Sequence, residues 1–143
     1  MYMTYIKQSI ILVLMLILSS CTGTSYEKFS YLNDPISGYK EEVVSDNLIK
    51  VSYLGNHFHS DGLVRRYEML RIAELGKEKG AAFFAMYASP DKVAKHEKIV
   101  EPILFRESNE PTAYAYVQYH ASKEKGDLSV KATYEAYNKF RDF

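Results

Sequence analysis

The spacing of hydrophobic residues changes along this chain, and each spacing predicts a different element. Residues 10–18 are nine consecutive apolar residues, whereas a membrane-spanning helix needs about 20. From residue 48 to 54 apolar and polar residues alternate, which predicts a strand with one face in water. From residue 61 to 79 apolar residues recur at three- and four-residue steps, which predicts a helix that buries one face.

Further patterns complete the expected domain. The run 81–88 carries no charge, which favours a strand covered on both faces. The run 112–121 divides into a face of small residues, suited to a covering helix, and a polar aromatic face. We predict strands at 39–44, 48–54, 81–88 and 112–121, and helices at 61–79, 90–100 and 128–143. The expected fold is one α+β domain over residues 39–143, with a four-stranded, mostly antiparallel sheet and two main helices packed on one face.

Composition and charge narrow the classes of partner. The 143 residues include 18 basic and 18 acidic side chains, so no net charge attracts nucleic acid. The apolar fraction of 47%, with 13 Tyr and 7 Phe, is typical of a packed core rather than a disordered chain. The single cysteine excludes an internal disulfide and a cysteine-based zinc site, because each needs at least two sulfurs.

The early apolar run ends in Leu18-Ser19-Ser20-Cys21, a leucine and two small residues before the cysteine. With Lys7 ahead of it, this segment resembles the lipobox leader of bacterial lipoproteins. The resemblance implies that residues 1–20 are a signal peptide, removed just before Cys21. It also implies that Cys21 carries a diacylglycerol on its sulfur and, usually, a further acyl chain on its new amine. The alternative is an ordinary secretory cleavage site beside a buried free cysteine.

The residue after the cysteine bears on location. In lipoproteins of Gram-negative bacteria an aspartate there signals retention in the inner membrane, and here the residue is Thr22. The resemblance therefore implies an outer-membrane lipoprotein that faces the periplasm, if the source has an outer membrane. The stretch 21–38 is predicted to be the lipidated tether, and 17 flexible residues would have an r.m.s. reach of roughly 20–25 Å. Its aromatic residues are candidates to dock back on the domain.

Three short motifs mark the domain itself: Gly38-Tyr39-Lys40-Glu41, Gly55-Asn56, and residues 71–75 (RIAEL), which precede Gly80 and Phe84. This set, written G-Y-x-E, G-N and R-x-A-E-L, resembles a group of small bacterial lipoproteins of uncharacterised function. The resemblance covers residues 38–88 and implies a single-domain lipoprotein with no known activity. His57 and His59 depart from the pattern of that group.

Six polar residues are candidates for ligand binding: Asn56, His57, His59, Asp61, Arg71 and Glu74. Gly55 is expected to take a positive φ at the end of its strand, and Asn56 to hydrogen-bond the turn backbone. Arg71 and Glu74 can pair along the helix, with Glu68 also three residues from Arg71, either as a partly buried network or as a solvent-exposed pair.

His57, His59 and Asp61 form the weak metal-ligand candidate, because residues two apart in an extended segment share a face. The alternative is that both histidines are incidental and that Asp61 belongs to the helix N-terminus. Tyr114 and Tyr116 can stack on a sugar ring of the cell wall, or simply pair across strands.

The sequence contains no catalytic motif such as a nucleophile elbow, a zinc-protease motif or a phosphate-binding loop. We therefore expect a non-enzymatic interaction or binding module in the cell envelope, with the covalent lipid on Cys21 and no other cofactor. The expected partners are the membrane, through the acyl chains, and an envelope protein. The alternative function is a periplasmic metal- or small-ligand-binding protein that uses His57, His59 and Asp61.

Overall fold

A computed structural model describes residues 26–30 and 37–141. The predicted signal peptide, the predicted lipidation site at Cys21 and residues 22–25 of the predicted tether lie outside the described residues, as do residues 31–36 and 142–143. The strands are β1 (Gly38–Ser45), β2 (Leu48–Leu54), β3 (Phe83–Tyr87), β4 (Lys98–Ile99), β5 (Ile103–Glu107), β6 (Glu110–His120) and β7 (Leu128–Ser129). The helices are α1 (Asp61–Glu78), α2 (Pro90–Ala94) and α3 (Val130–Tyr137), followed by a 3₁₀ turn (Asn138–Phe140).

The α+β class is confirmed, but the four-stranded sheet was an undercount. The structure has an antiparallel sheet of seven strands, in the order β1-β2-β6-β3-β4. Strand β6 is the centre: β2 pairs along one side, while β5 and then β3 share the other side, and β7 pairs with β3. The helix predicted at 90–100 was also wrong in length, because α2 ends at Ala94 and the chain returns to the sheet as β4.

Helix α1 covers one face of this sheet and forms most of the core with it. Ser60 caps its N-terminus, since the Ser60 hydroxyl accepts a hydrogen bond from the Leu63 backbone N–H. The small face of β6 (Ala113, Ala115 and Val117) is fully buried beneath the helix. Small residues at these positions let the α1 backbone approach the sheet closely.

Gly55 is not at a positive φ, so that expectation was wrong. Its backbone N–H donates to the Pro111 carbonyl at 2.8 Å, and an added Cβ would lie 2.7 Å from that same oxygen and from Val64 Cγ2. Glycine is needed here because the end of β2 approaches both β6 and α1 too closely for a side chain, and not because the turn requires a positive φ.

The described part of the tether lies against the domain. Phe29 N–H donates to the Tyr39 carbonyl at 3.0 Å, and Tyr39 N–H donates to the Glu27 carbonyl at 2.9 Å, so residues 26–30 pair in parallel with the start of β1. The ring of Tyr26 packs between β1, β2 and α1, with ring centroids 5.5 Å from Tyr39, 6.2 Å from Tyr53 and 5.3 Å from Tyr67. The prediction that tether aromatics dock on the domain is confirmed for this segment.

Candidate functional site

The face of the sheet opposite α1 is open over its β1, β2, β5 and β6 part. Strand register places its side chains in three cross-strand rows, because paired residues in antiparallel strands share a face. The rows are Glu42–Lys50–Tyr116, then Lys40–Ser52–Tyr114–Ile103, then Leu54–Thr112–Phe105. Together they line a concavity of about 830 Å³, within the range of small-molecule sites. We call this surface the open face.

Aromatic rings form the middle of the open face. Tyr114 and Tyr116 lie two residues apart on β6, with ring centroids 6.2 Å apart in an edge-to-face arrangement. Phe105 of β5 adds a third ring, 5.9 Å from that of Tyr114, and its side chain is substantially exposed. Lys50 Nζ lies 5.4 Å and 5.8 Å from the centroids of the two tyrosine rings. Edge-to-face and cation–π contacts of this kind fix the rings in place while leaving apolar surface accessible.

Charges on the open face are balanced. Lys40 and Lys50 contribute two positive charges. Glu42 contributes one negative charge, and Glu107, which lines the concavity just beyond the third row, contributes another. Glu41 lies at the margin, but its carboxylate turns to the helix side and pairs with Arg71. The surface therefore combines apolar rings with mixed polar groups and has no strong field of either sign.

Part of the same sheet face is covered on its β3 side. Tyr87 continues the first row next to Tyr116 but is only 1% exposed. The segment 121–127 approaches it, and Lys98 Nζ pairs with the buried Asp127 carboxylate at 2.7 Å. Burial alone would raise the pKa of Asp127, but the hydrogen bond from Lys98 holds it below its usual range. This buried ion pair fixes one wall beside the open face.

One set of metal-ligand atoms converges within the part of the chain that the structure describes. His120, Glu124 and Asp127 each place one ligand atom within 4.8 Å of the others. However, Lys98 Nζ lies 2.7 Å from Asp127 Oδ1 and 3.4 Å from Glu124 Oε2. Since the Lys98 ammonium already pairs with both carboxylates and neutralises one of their two charges, the cluster is better explained as an ionic network of the fold than as a metal centre.

The three residues predicted as metal ligands have separate neighbours. His57 is exposed, whereas His59 is buried and its Nδ1 lies 2.7 Å from Asn56 Oδ1. Asp61 pairs instead with Arg106 across the β5–β6 end of the sheet. Asn56 also accepts a hydrogen bond from the Phe58 backbone N–H at 2.9 Å, so its expected role in the turn is confirmed. Joint metal binding by His57, His59 and Asp61 stays a prediction, and the geometry does not favour it.

Arg71 is the centre of a partly buried ionic network on the helix side of the sheet. Its Nε donates to Glu41 Oε1 at 2.5 Å. Its Nη1 and Nη2 donate to Oε1 and Oε2 of Glu78 at 2.8 and 3.3 Å. Arg71 Nη1 lies 3.4 Å from Glu74 Oε2, and the Glu74 carboxylate also accepts hydrogen bonds from Tyr26 and Arg141. Burial alone would lower the pKa of Arg71, but hydrogen bonds to the carboxylates raise it above its ordinary value. Of the two possibilities for Arg71 and Glu74, the network is the observed one.

Glu68 does not join this network. Its side chain is fully buried between α1 and the sheet. Burial raises the pKa of its carboxyl well above the usual range, and the backbone of Ala115 lowers that pKa only in part. Ala115 lies at the point where β5 stops pairing with β6 and β3 begins. Glu68 therefore lies at this junction of the sheet, where burial favours the protonated form of its carboxyl.

Sequence reasoning identified the tyrosines of the open face but missed its β5 wall. The available signal was Glu107-Ser108-Asn109-Glu110, where Ser108 and Asn109 both take positive φ in a tight hairpin turn.

None of the described helices is long and apolar enough to cross a membrane. No protein-family model, no curated protein and no solved structure matches this chain.

Proposed function

We propose that this protein is an acyl-anchored lipoprotein of the cell envelope that acts as a non-enzymatic binding module through the open face. The observation that carries the binding role is the concave, aromatic face, which the described elements leave uncovered, whereas Tyr87, beside Tyr116 on the same sheet face, is buried. Such a broad, shallow surface suits retention of a ligand. It does not enclose a reacting group away from water, as catalysis commonly requires.

The anchor part of the proposal rests on the lipobox and on the docked segment that follows it. Tyr26 is bound to the domain only five residues after Cys21. Five residues span at most about 18 Å, whatever their conformation. An acylated Cys21 would therefore hold the Tyr26 side of the domain close to the bilayer, rather than letting the whole domain move on a tether of 17 residues.

Several acyl chains on one residue are needed for this anchor, since a single chain gives only marginal membrane affinity. The absence of Asp after Cys21 favours the outer membrane, facing the periplasm, in a Gram-negative source. The proposed partners are the lipid bilayer and an envelope ligand on the open face.

Cys21→Ser tests the anchor. Cells that express the tagged full chain are fed a palmitate analogue, and the protein should be labelled and recovered in the membrane fraction. Cys21→Ser should lose both properties, because the serine hydroxyl replaces the acylated sulfur. Thr22→Ser is the matched control and should remain labelled. Persistent labelling of Cys21→Ser would show that the lipobox interpretation is wrong.

A further inference from the structure

We infer that the ligand of the open face is a neutral glycan, a short run of linked sugar rings. The inference rests on the proposed role of this face in binding and adds the chemical class of the ligand. It depends on three properties of the surface: its aromatic rings, its balanced charge and its size.

The rings supply the apolar part of such a site. A sugar ring has an apolar face of C–H groups and a polar rim of hydroxyls, and an aromatic ring has a flat apolar face. The ring of Tyr114 lies next to those of Phe105 and Tyr116, with centroid separations of 5.9 and 6.2 Å, and both pairs are edge-to-face, so each sugar would stack on one ring rather than on a continuous flat surface. The same rows also contain two hydroxyl groups and, on β1, two charged side chains. These are Ser52 and Thr112, and Lys40 and Glu42. Apolar stacking and hydrogen bonding are thus available to one ligand at once.

The balance of charge disfavours the other classes of envelope ligand. Two lysines and two glutamates on the open face give no net attraction for a polyanion such as nucleic acid or an anionic lipid surface. Protein interfaces are depleted of Lys and Glu at their centres, whereas here Lys50 lies directly over the central tyrosine rings. A neutral, polyhydroxylated ligand satisfies mixed donors and acceptors without requiring a counter-charge.

The dimensions suit more than one sugar ring. Four strands cross the face at a spacing of about 4.8 Å, and the three rows run from Lys50 to Leu54 on β2, four residue steps of about 3.4 Å each. The concavity of about 830 Å³ leaves room for about two or three linked rings. A long glycan strand could therefore bind through a short internal stretch.

The test is a titration of the full-length acylated protein, held in non-ionic detergent micelles, with the trimer of N-acetylglucosamine. Heteronuclear NMR should show saturable shifts in β2, β5 and β6 around Tyr114 and Tyr116, with a Kd between about 0.1 and 1 mM. Tyr114→Ala combined with Tyr116→Ala should weaken binding at least tenfold. Phe58→Ala, which removes an exposed aromatic ring outside the open face, is the matched control and should leave binding unchanged.

Two further variants keep the test valid if the double tyrosine variant does not fold. Phe105→Ala removes an exposed ring of the face, and Ser52→Glu adds a charge at its centre; each should weaken binding several-fold. Absence of shifts on the open face at about 10 mM trimer, or equal affinity in all variants, would overturn the inference. Equal binding of a sugar-free cell-wall peptide at the same residues would also overturn it, since the ligand would then be a peptide.

A photo-crosslinking residue at position 52 of the acylated protein separates this inference from the proposed function. Crosslinks in cells that survive protein digestion and are released by glycan hydrolysis support the glycan. Crosslinks to another class of molecule contradict the glycan but retain a binding role for the open face. If position 52 gives no more crosslinks than position 58, the proposed binding role of the face is itself wrong.

Discussion

At the level of single side chains, Arg71 connects α1 to three other segments of the chain. It lies on α1, reaches Glu41 on β1, and contacts the ring of Tyr39 at 4.5 Å from its centroid. Through Glu74 it is also connected to Tyr26 of the docked tether and to Arg141 near the C-terminus. A planar guanidinium with five donors can serve several carboxylates at once, which a lysine ammonium cannot do with the same geometry.

Arg71→Ala should lower the free energy of unfolding by about 3 kcal/mol, because several carboxylates would lose their partly buried counter-charge. Arg65→Ala is the control: its pair with Glu101 is exposed on both sides and should cost less than about 1 kcal/mol. Urea denaturation of the two variants in detergent micelles gives the comparison. Equal, small losses would show that the Arg71 network adds no more stability than a surface pair.

Glu68 should make stability depend on pH. Because its folded-state pKa is raised, the folded chain binds more protons than the unfolded chain above the unfolded-state pKa. The free energy of unfolding therefore falls as pH rises from about 4.5 towards the folded-state pKa. Glu68→Gln keeps the shape of the neutral acid and should remove this decline. Wild type and variant should be similar at pH 5, with the variant more stable at pH 8, by urea denaturation at each pH.

If the two proteins instead show the same pH profile, Glu68 is not a neutral buried acid. Glu110→Gln, at the start of β6 and only partly buried, is a suitable control, since it removes a carboxylate without altering the junction under α1.

At the level of elements, two glycines of α1 should respond to alanine with opposite signs. Gly76 faces α3 and β6, and an added Cβ would lie 2.7 Å from Val130 Cγ2 and 3.0 Å from Tyr119 Cε1. Gly76→Ala should therefore destabilise the protein by about 1–3 kcal/mol through overpacking. Gly62 has nothing within 4 Å of the same position, so Gly62→Ala should stabilise it by up to about 1 kcal/mol. Thermal unfolding of both variants tests the difference in sign.

The elements that could be predicted from sequence are those whose own residues carry a long, regular pattern. The alternation in β2 and the spacing in α1 gave bounds within one residue of the structure. Strands β4 and β7 have two residues each, too short to show any period, and they form because β3 supplies a partner edge. The open face could not be predicted in full because it includes β5. The position of β5 in the sheet is determined by its pairing with β6 rather than by a pattern in its own sequence.

The candidate residues divide in the same way. The local role of Asn56 could be predicted because its partners lie within three residues. The partners of Asp61 and Arg71 could not, since Arg106 and Glu41 reach them only through the fold. Spacing in sequence suggested that His57, His59 and Asp61 act together, but the turn before α1 directs them to different neighbours.

For the molecule as a whole, the docked segment would set how the domain is held against the membrane in the anchored protein that we propose. Tyr26→Ala should release residues 26–30 from β1, because the ring packs on three other tyrosines and its hydroxyl donates to Glu74. Trypsin should then cleave after Lys28 about tenfold faster in the vesicle-anchored protein, since cleavage follows the population of the open segment. Mass spectrometry of the fragments measures the rate.

Phe105→Ala serves as the comparison, because it removes an exposed ring on the opposite face of the sheet from the docked segment. Cleavage after Lys28 should be unchanged in that variant. If Tyr26→Ala is cleaved no faster than wild type, the docked segment does not depend on this ring.

The central position of β6 also determines when the sheet can form during synthesis. Ile49 pairs with Val117, almost half of the chain away, and β3 and β5 need the same strand. Until β6 leaves the ribosome, β2 and β3 lack the partner between them, so the nascent chain cannot complete its core. Folding that depends on such distant pairing is intrinsically slow. In the lipoprotein that we propose, this delay would be useful, because a chain that has not yet folded can still be carried across a membrane behind its signal peptide.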